Sequence, residues 1–555
     1  MFAGKFARHG RGSKAKTSGR TGPRWYLLLV AIIALGLLLS YLMYSGPDPW
    51  YDDSIYIFLA HEALSGNASF IGSRFAYGFL KLFPLAASFG LLGYGNFQAV
   101  LPSVLEYVLL IIMTFLIGKK LQGERLGVIA AFLAATAPFA VSNATRVLPD
   151  IVTGLALSVS IYLFLASTDT KHSVVLPILF GASTALPLFF NEEGFATMLF
   201  SWVYVAFLLV SNTLRIGARR AVTNGRTDAA ASVTFRFVSF AAVGTVACLS
   251  AYFIVFYVSL GSPFFVFTHY NAGFSPLNPF SEAYTLLFGN FLNAGTFTQD
   301  LYPIGPLSLL AMAGSVLFAI RSGRRGNFIS FLNWSFVMFM IFGTTSLAGG
   351  YHPIPVTTRF FGIVLSTFSL LAAFALLSFY DYAKKTFRRR APSYPAAPLI
   401  AMLSLLFAIT LACLPLYGML IQSNRIILQN NQELYQSTRY ATSVAPAGEP
   451  IAVYTDAFGG FGFILPLFLS FTTGFNASIT YQSIVDYGSN NTLTSCALAS
   501  GSSPFLIVEY QNVGPAAREQ INAQVSAWLS DTCTATLLTE INQTYIYSLS
   551  GSTQG

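Results

Sequence analysis

Charge is what this sequence has least of. Only 10% of its 555 residues are Asp, Glu, Lys or Arg, against 54% hydrophobic ones, whereas a soluble globular protein carries about a quarter charged residues. With a mean hydropathy of +0.61, that scarcity excludes a soluble enzyme and leaves a polytopic membrane protein. Cysteine is rare too: the 4 present fit no metal-ligand spacing. Cys248 and Cys413 fall inside apolar runs, as small core residues do. Cys496 and Cys533 lie in a polar C-terminal segment, where a disulfide between them fits an extracytoplasmic setting. Beyond residue 422 lysine is absent altogether, and only Arg425, Arg439 and Arg518 are basic.

The formal net charge of +9 does not point to nucleic acid, because the basic residues sit in short segments between apolar runs and form no stripe or motif. Positive-inside topology accounts for them. Residues 1–24 hold seven Lys/Arg and no acid and read as a disordered basic cytoplasmic tail. Behind them, Trp25 to Tyr44 is apolar for spanning length and is longer than a signal-peptide core. Eleven windows of spanning length follow from the apolar runs, near 25–45, 97–118, 124–142, 149–167, 173–190, 194–211, 237–259, 303–320, 328–347, 359–380 and 397–421. The loops this count places in the cytoplasm carry Lys119/Lys120, Lys171, Arg215 to Arg236, RSGRRG at 321–326 and KKTFRRR at 384–390. The charge rule, which did not choose the windows, agrees with them.

The expected architecture is therefore an α-helical membrane domain over 25–421, with about 11 transmembrane helices, and a small extracytoplasmic α/β domain over 422–555. In the latter, PIAVYTDA and SPFLIVEYQ read as strands, 516–529 as a helix and TATLLTEINQTYIYSLS as a closing strand. Residues 458–475 are apolar enough to suggest a twelfth span, but their Gly, Pro and Thr favour a buried amphipathic helix. The outer loop 46–96 reads as two interfacial helices, SIYIFLAHEAL and FLKLFPLAASFGLLG. Sequons at Asn67, Asn143, Asn476, Asn490 and Asn542 all fall on the outer side.

Ionisable groups at a membrane boundary are costly and call for a reason, and four outer-side groups stand out. The first is Asp52-Asp53 with Tyr56, followed by His61-Glu62 on the same helix. A carboxylate at the lip of an apolar cavity can act as a general base; capping of the helix is the plainer reading. The second is Arg146 with Asp150 in TRVLPD, bracketed by Pro138 and Pro149. Arginine binds oxyanions bidentately; an interfacial anchor paired to Asp150 is the alternative. The third is Asn191-Glu192-Glu193, suited to a cation or to sugar hydroxyls, or simply a solvated helix end. The fourth is Tyr351-His352-Pro353 with Arg359, which could hold phosphate.

Taken in order, Asp52-Asp53-x-x-Tyr56 with AHEALSGN, YGFLKLFPLAASFGLLGYG, and GKKLQGERLGVIAAFLAATAPFAVSNATRVLPD resemble the opening third of the GT-C glycosyltransferases. The likeness is to the protein O-mannosyltransferase and lipid A aminoarabinose transferase group, in an archaeal-type form. It covers residues 25–210 in detail and the rest in layout.

The resemblance implies an inverting transferase that takes one sugar from a polyprenyl (dolichyl) phosphate carrier and passes it to a protein, lipid or glycan hydroxyl at the outer membrane face. Carried over, Asp52 is the base, with Asp53 as the alternative, and Arg146 and Arg359 neutralise the lipid phosphate. Tyr56, Asp150, Glu192, Glu193 and His352 line the substrate site. The resemblance points to no definite cofactor, and a divalent cation could take part. Two departures stand out: Tyr77-Gly78-Phe79 replaces a Lys-Pro-Pro run, and Glu192-Glu193 stand where relatives carry a basic residue. A lipid or sugar transporter, the reading from another class, predicts inverted repeats and polar residues at mid-span; neither is evident here.

Overall fold

A computed structural model describes residues 24–48, 52–67, 74–169, 173–191, 193–220, 228–264, 306–321, 323–342, 358–390, 397–444, 451–455 and 464–476, together with the strands given below. The chain opens with α1 (Arg24–Leu42) and α2 (Asp52–Leu64). A 3-10 turn (Arg74–Lys81) leads into α3 (Leu82–Leu92), and α4 (Asn96–Gln122), α5 (Glu124–Ala135), α6 (Pro138–Asn143), α7 (Asp150–Asp169) and α8 (Val175–Ala185) follow. After a short 3-10 turn (Leu186–Phe189) come α9 (Gly194–Arg220), α10 (Asp228–Leu260), α11 (Pro306–Arg321) and α12 (Gly323–Phe342). A last 3-10 turn (Thr358–Gly362) precedes α13 (Leu365–Arg390) and α14 (Ala397–Val444).

Among the described residues, six helices are long and apolar enough to cross a membrane: α1, α4 and α7 along their whole length, and stretches of α9, α10 and α13. The other five windows are also largely helical where the structure describes them. Residues 124–142 are broken at Thr136–Ala137 into α5 and α6, because Pro138 cannot donate to a continuing ladder. The chain is a multi-pass membrane protein.

Among lipid tails the hydrophobic effect does not hold helices together, so close packing and hydrogen bonds must. Both are present. Gly181 of α8 and Gly244 of α10 face the partner helix's backbone, where a Cβ would collide with the Ala241 and Ile178 carbonyls respectively. Ser366 Oγ of α13 lies 2.7 Å from both Thr114 Oγ1 of α4 and Ser158 Oγ of α7, tying three helices at one buried point. Large rings fill the space around them, including Tyr107, Phe115, Phe164, Phe180 and Phe328. By contrast Leu27, Val30 and Tyr41 of α1 and Val243, Ile254 and Val258 of α10 are exposed, as a lipid-facing surface requires.

The segment after α1 and the C-terminal sheet share a second core. Within 46–96 the described residues form α2, the first 3-10 turn and α3, so both expected segments are helical. Ile57, Leu82 and Phe89 from this loop share an apolar cluster with Phe468 and Leu469 of α15 (Ile464–Thr472) and with Val453 and Ile546 of the C-terminal sheet. At nine residues, α15 is about 14 Å long, too short to span a membrane, so the suggested twelfth span is a buried helix packed on α2.

The strands are β1 (Ile451–Thr455), β2 (Tyr481–Ser483), β3 (Val485–Asp486), β4 (Thr492–Leu493), β5 (Phe505–Glu509), β6 (Cys533–Ile541) and β7 (Thr544–Gly551). Five form a sheet in the order β2-β1-β5-β7-β6, parallel on the β2, β1 and β5 side and antiparallel at β5-β7-β6. Val453, Ile507 and Ile546 are register partners across it. The expected single closing strand is in fact the hairpin β6-β7, with Ile541 opposite Thr544. Apolar alternation on both sides of Asn542-Gln543 reads as one continuous strand. The expected helix at 516–529 lies outside the described residues.

Candidate functional site

The α1–α2 connection folds back on itself at Asp53. The Asp48 N–H donates to Asp53 Oδ2 at 2.7 Å, and Ser54 Oγ donates to the Asp48 carbonyl at 3.2 Å. A carboxylate in the first turn of a helix is favoured by the free N–H groups and the dipole there. It is also costly to bury without partners, and Asp53 is fully buried. Its partners come from the α6–α7 turn: Arg146 Nε donates to Oδ2 at 2.7 Å and the Val147 N–H donates to Oδ1 at 3.0 Å. Arg146 Nη2 also lies 3.3 Å from Oδ2 of Asp48, itself buried. One guanidinium thus sits between two buried acids.

Asp52 is different. It is the first residue of α2 and half-buried, and its side chain leaves the helix about 100° from that of Asp53. Of the adjacent acids, Asp53 is taken up by the scaffold, and Asp52 is the one with access to solvent. Tyr56, one turn on, is buried in the outer apolar cluster beside Val147 and Phe189.

Asp150 begins α7 and is buried. The expected Arg146–Asp150 alternative is replaced by Arg146 with Asp53 and Asp48. Asp150 instead lies against the Thr358–Gly362 turn: a Cβ on Gly362 would stand 3.5 Å from Asp150 Cβ and 3.6 Å from Asn143 Nδ2. The turn that carries Arg359 is therefore brought to the start of α7. Glu193 and Asn191 are buried in the turn before α9, which follows the Leu186–Phe189 turn packed on α7. Glu192, His352 and Cys496 lie outside the described residues, as do the side chains of Arg359 and Cys533, and the Cys496–Cys533 pairing with them. Among the described residues no group of three or more His, Cys, Asp or Glu is arranged to hold a metal ion. Asn143 is buried, so its sequon cannot accept a glycan in the folded chain.

Three features were not read from the sequence. Asp48 was one. Another is a buried ion pair between the loop and α4, in which Lys81 Nζ lies 2.7 Å from Glu106 Oε2 and 3.1 Å from Ser103 Oγ. A lysine immediately before an apolar helix gives no local sign of burial, and its partner is 25 residues away. The third is how His61 is held: its Nδ1 is 2.6 Å from Tyr94 Oη, and its ring stacks on Phe475 at 3.9 Å between centroids. Burial pushes His61 below its ordinary pKa, while neighbouring Glu62 acts in the opposite direction.

This is the fold of the GT-C membrane glycosyltransferases. The family described as dolichyl-phosphate-mannose-protein mannosyltransferase matches residues 79–225. Among solved structures, the chain is similar to ArnT from Cupriavidus metallidurans in the apo state, with a TM-score of 0.59 at 13% identity over 95% of this chain and 98% of that one. ArnT bound to undecaprenyl phosphate gives 0.56 at 14% identity, over 95% and 98%. The archaeal oligosaccharyltransferase AglB from Archaeoglobus fulgidus, in complex with an inhibitory peptide and a dolichol-phosphate, gives 0.52 at 12% identity, over 96% and 74%. No curated protein matches the chain by sequence.

Proposed function

We propose that the protein transfers a single sugar from a polyprenyl (dolichyl) monophosphate carrier to a hydroxyl of a protein, lipid or glycan at the outer face of the cell membrane, with inversion at the anomeric carbon. The observation that carries this reading is the difference between the adjacent acids: Asp53 is fully buried and bonded to Arg146 and Val147, whereas Asp52, the first residue of α2, is only half-buried. Two structural neighbours were solved with undecaprenyl phosphate and with a dolichol-phosphate, and both support a lipid phosphate donor.

In the proposed reaction Asp52 takes the proton of the acceptor hydroxyl as its oxygen attacks the anomeric carbon from the face opposite the phosphate. The bond to the phosphate oxygen breaks, and the polyprenyl phosphate leaves with the electron pair. Arg359, on the turn beside Asp150, stabilises the charge that develops there. Arg146 is assigned to the cradle that fixes the acids, because its Nε and Nη2 already face Asp53 and Asp48. Asp150 and Glu193 are assigned to the sugar, together with Glu192 and His352. Holding donor and acceptor in line accounts for much of the remaining acceleration. The N-terminus is cytoplasmic and the C-terminal sheet extracytoplasmic.

The test is sugar release or transfer by the purified protein from a panel of short-chain polyprenyl phosphate sugars. Turnover of one donor, with a product of inverted anomeric configuration, supports the reading. Absence of both turnover and binding for every donor sinks it.

A further inference from the structure

The last long helix reaches back to the acid pair. α14 runs unbroken from Ala397 to Val444, about 72 Å at 1.5 Å per residue, more than twice the roughly 30 Å of a bilayer's hydrocarbon core. In its second half Asn424, Asn431 and Tyr435 form one stripe, since seven and eleven residues at about 100° each return to within about 20° of the start. Asn424 donates to the Met43 carbonyl, and Tyr435 Oη donates to Asn96 Oδ1 at 3.1 Å. Between them, Asn431 Nδ2 donates to two carbonyls at once, Ser45 at 3.0 Å and Pro47 at 2.9 Å.

The turn is shaped for that contact. Gly46, between the two carbonyls, has φ +74°, and a Cβ there would stand 3.0 Å from Asn431 Nδ2. Asn431 is fully buried, so water cannot replace the donors if they are lost. The next residue after Pro47 is Asp48, whose N–H and carboxylate engage Asp53 and Arg146. A continuous chain of contacts therefore joins α14 to the residue beside Asp52.

We infer that Asn431 is a positioning residue for the transfer reaction: by pinning the Ser45–Pro47 turn it fixes Asp48, through it the Asp53–Arg146 pair, and so the direction in which Asp52 points. This rests on Asp52 being the general base. An aspartate at 431 is nearly the same shape, but it offers no N–H and sets a carboxylate against two carbonyl oxygens.

The test uses the purified full chain with whichever short-chain polyprenyl phosphate mannose, glucose or aminoarabinose donor the wild type turns over. Asn431→Asp lowers kcat about 10- to 100-fold, the range a misplacement near 1 Å produces, while KM for the donor stays within about twofold. Gly46→Ala gives the same split, and deuterium uptake by the 44–58 peptide rises in both variants but not in Asp52→Asn.

A folded Asn431→Asp protein with wild-type kcat, while Asp52→Asn is inactive, overturns the inference and leaves the functional reading standing. A parallel loss of kcat, donor affinity and melting temperature also overturns it, since general loosening would do the same. If Asn431→Asp does not fold, Gly46→Ala decides on the same terms. A wild type that turns over no donor overturns the functional reading and the inference together.

Discussion

Arg146 Nε lies 2.7 Å from Asp53 Oδ2 across 93 residues of sequence, with Nη2 of the same guanidinium 3.3 Å from Asp48 Oδ2. Both acids are buried, and the arginine is the cation that faces them. Removing one partner of such a pair leaves charge without compensation, which typically costs about 3–5 kcal/mol. Arg146→Ala should therefore lower the melting temperature of the purified protein sharply. Arg146→Ala combined with Asp53→Asn should recover part of the loss, whereas additive losses would show that the pair does not act as a unit.

The same reasoning applies at Lys81 and Glu106, whose side chains are 1% and 9% exposed. Lys81→Met strands Glu106 among apolar groups and should cost about 3–5 kcal/mol, while Lys81→Met with Glu106→Leu should return most of it, because an apolar pair of similar volume often replaces a buried ion pair without loss. Thermal unfolding of the two variants in the same detergent is the comparison. A double variant no more stable than the single one contradicts the pairing.

His61 links α2 to the end of α15 through Tyr94 and Phe475. Its pKa in the folded protein is depressed from 6.5, chiefly by burial, so the unfolded chain binds the proton more readily. Its contribution to stability is full above that ordinary value and is lost as pH falls through the folded pKa. The melting temperature should fall on acidification below about 6.5, and His61→Gln should flatten that part of the curve. An identical pH dependence in the variant would rule His61 out as its source.

Much of this was legible in the chain because apolar length is a local signal. Each expected spanning window is largely helical where the structure describes it, with 124–142 broken at Thr136–Ala137, and the short helices of loop 46–96 were visible from their mixed polarity. What could not be read was pairing at a distance. Within its own segment Arg146 has only Asp150 as an acidic neighbour, and only folding brings Asp53 and Asp48 within reach. Asn431 drew no attention for the same reason: its partners are backbone carbonyls 384 and 386 residues away, and carbonyls leave no mark in a sequence. The β6-β7 pairing was missed because the two strands alternate in sequence as one long strand would.

The central claim is that two adjacent acids have different work: Asp53 holds the scaffold and Asp52 takes the proton. The measurement that tests it most directly is kcat and donor affinity for Asp52→Asn beside Asp53→Asn, on whichever polyprenyl phosphate sugar the wild type uses. The account predicts that Asp52→Asn keeps donor affinity and melting temperature while kcat falls by about 100-fold or more, as loss of a general base requires. Asp53→Asn should lose stability along with activity. Wild-type turnover in a folded Asp52→Asn protein would contradict the account.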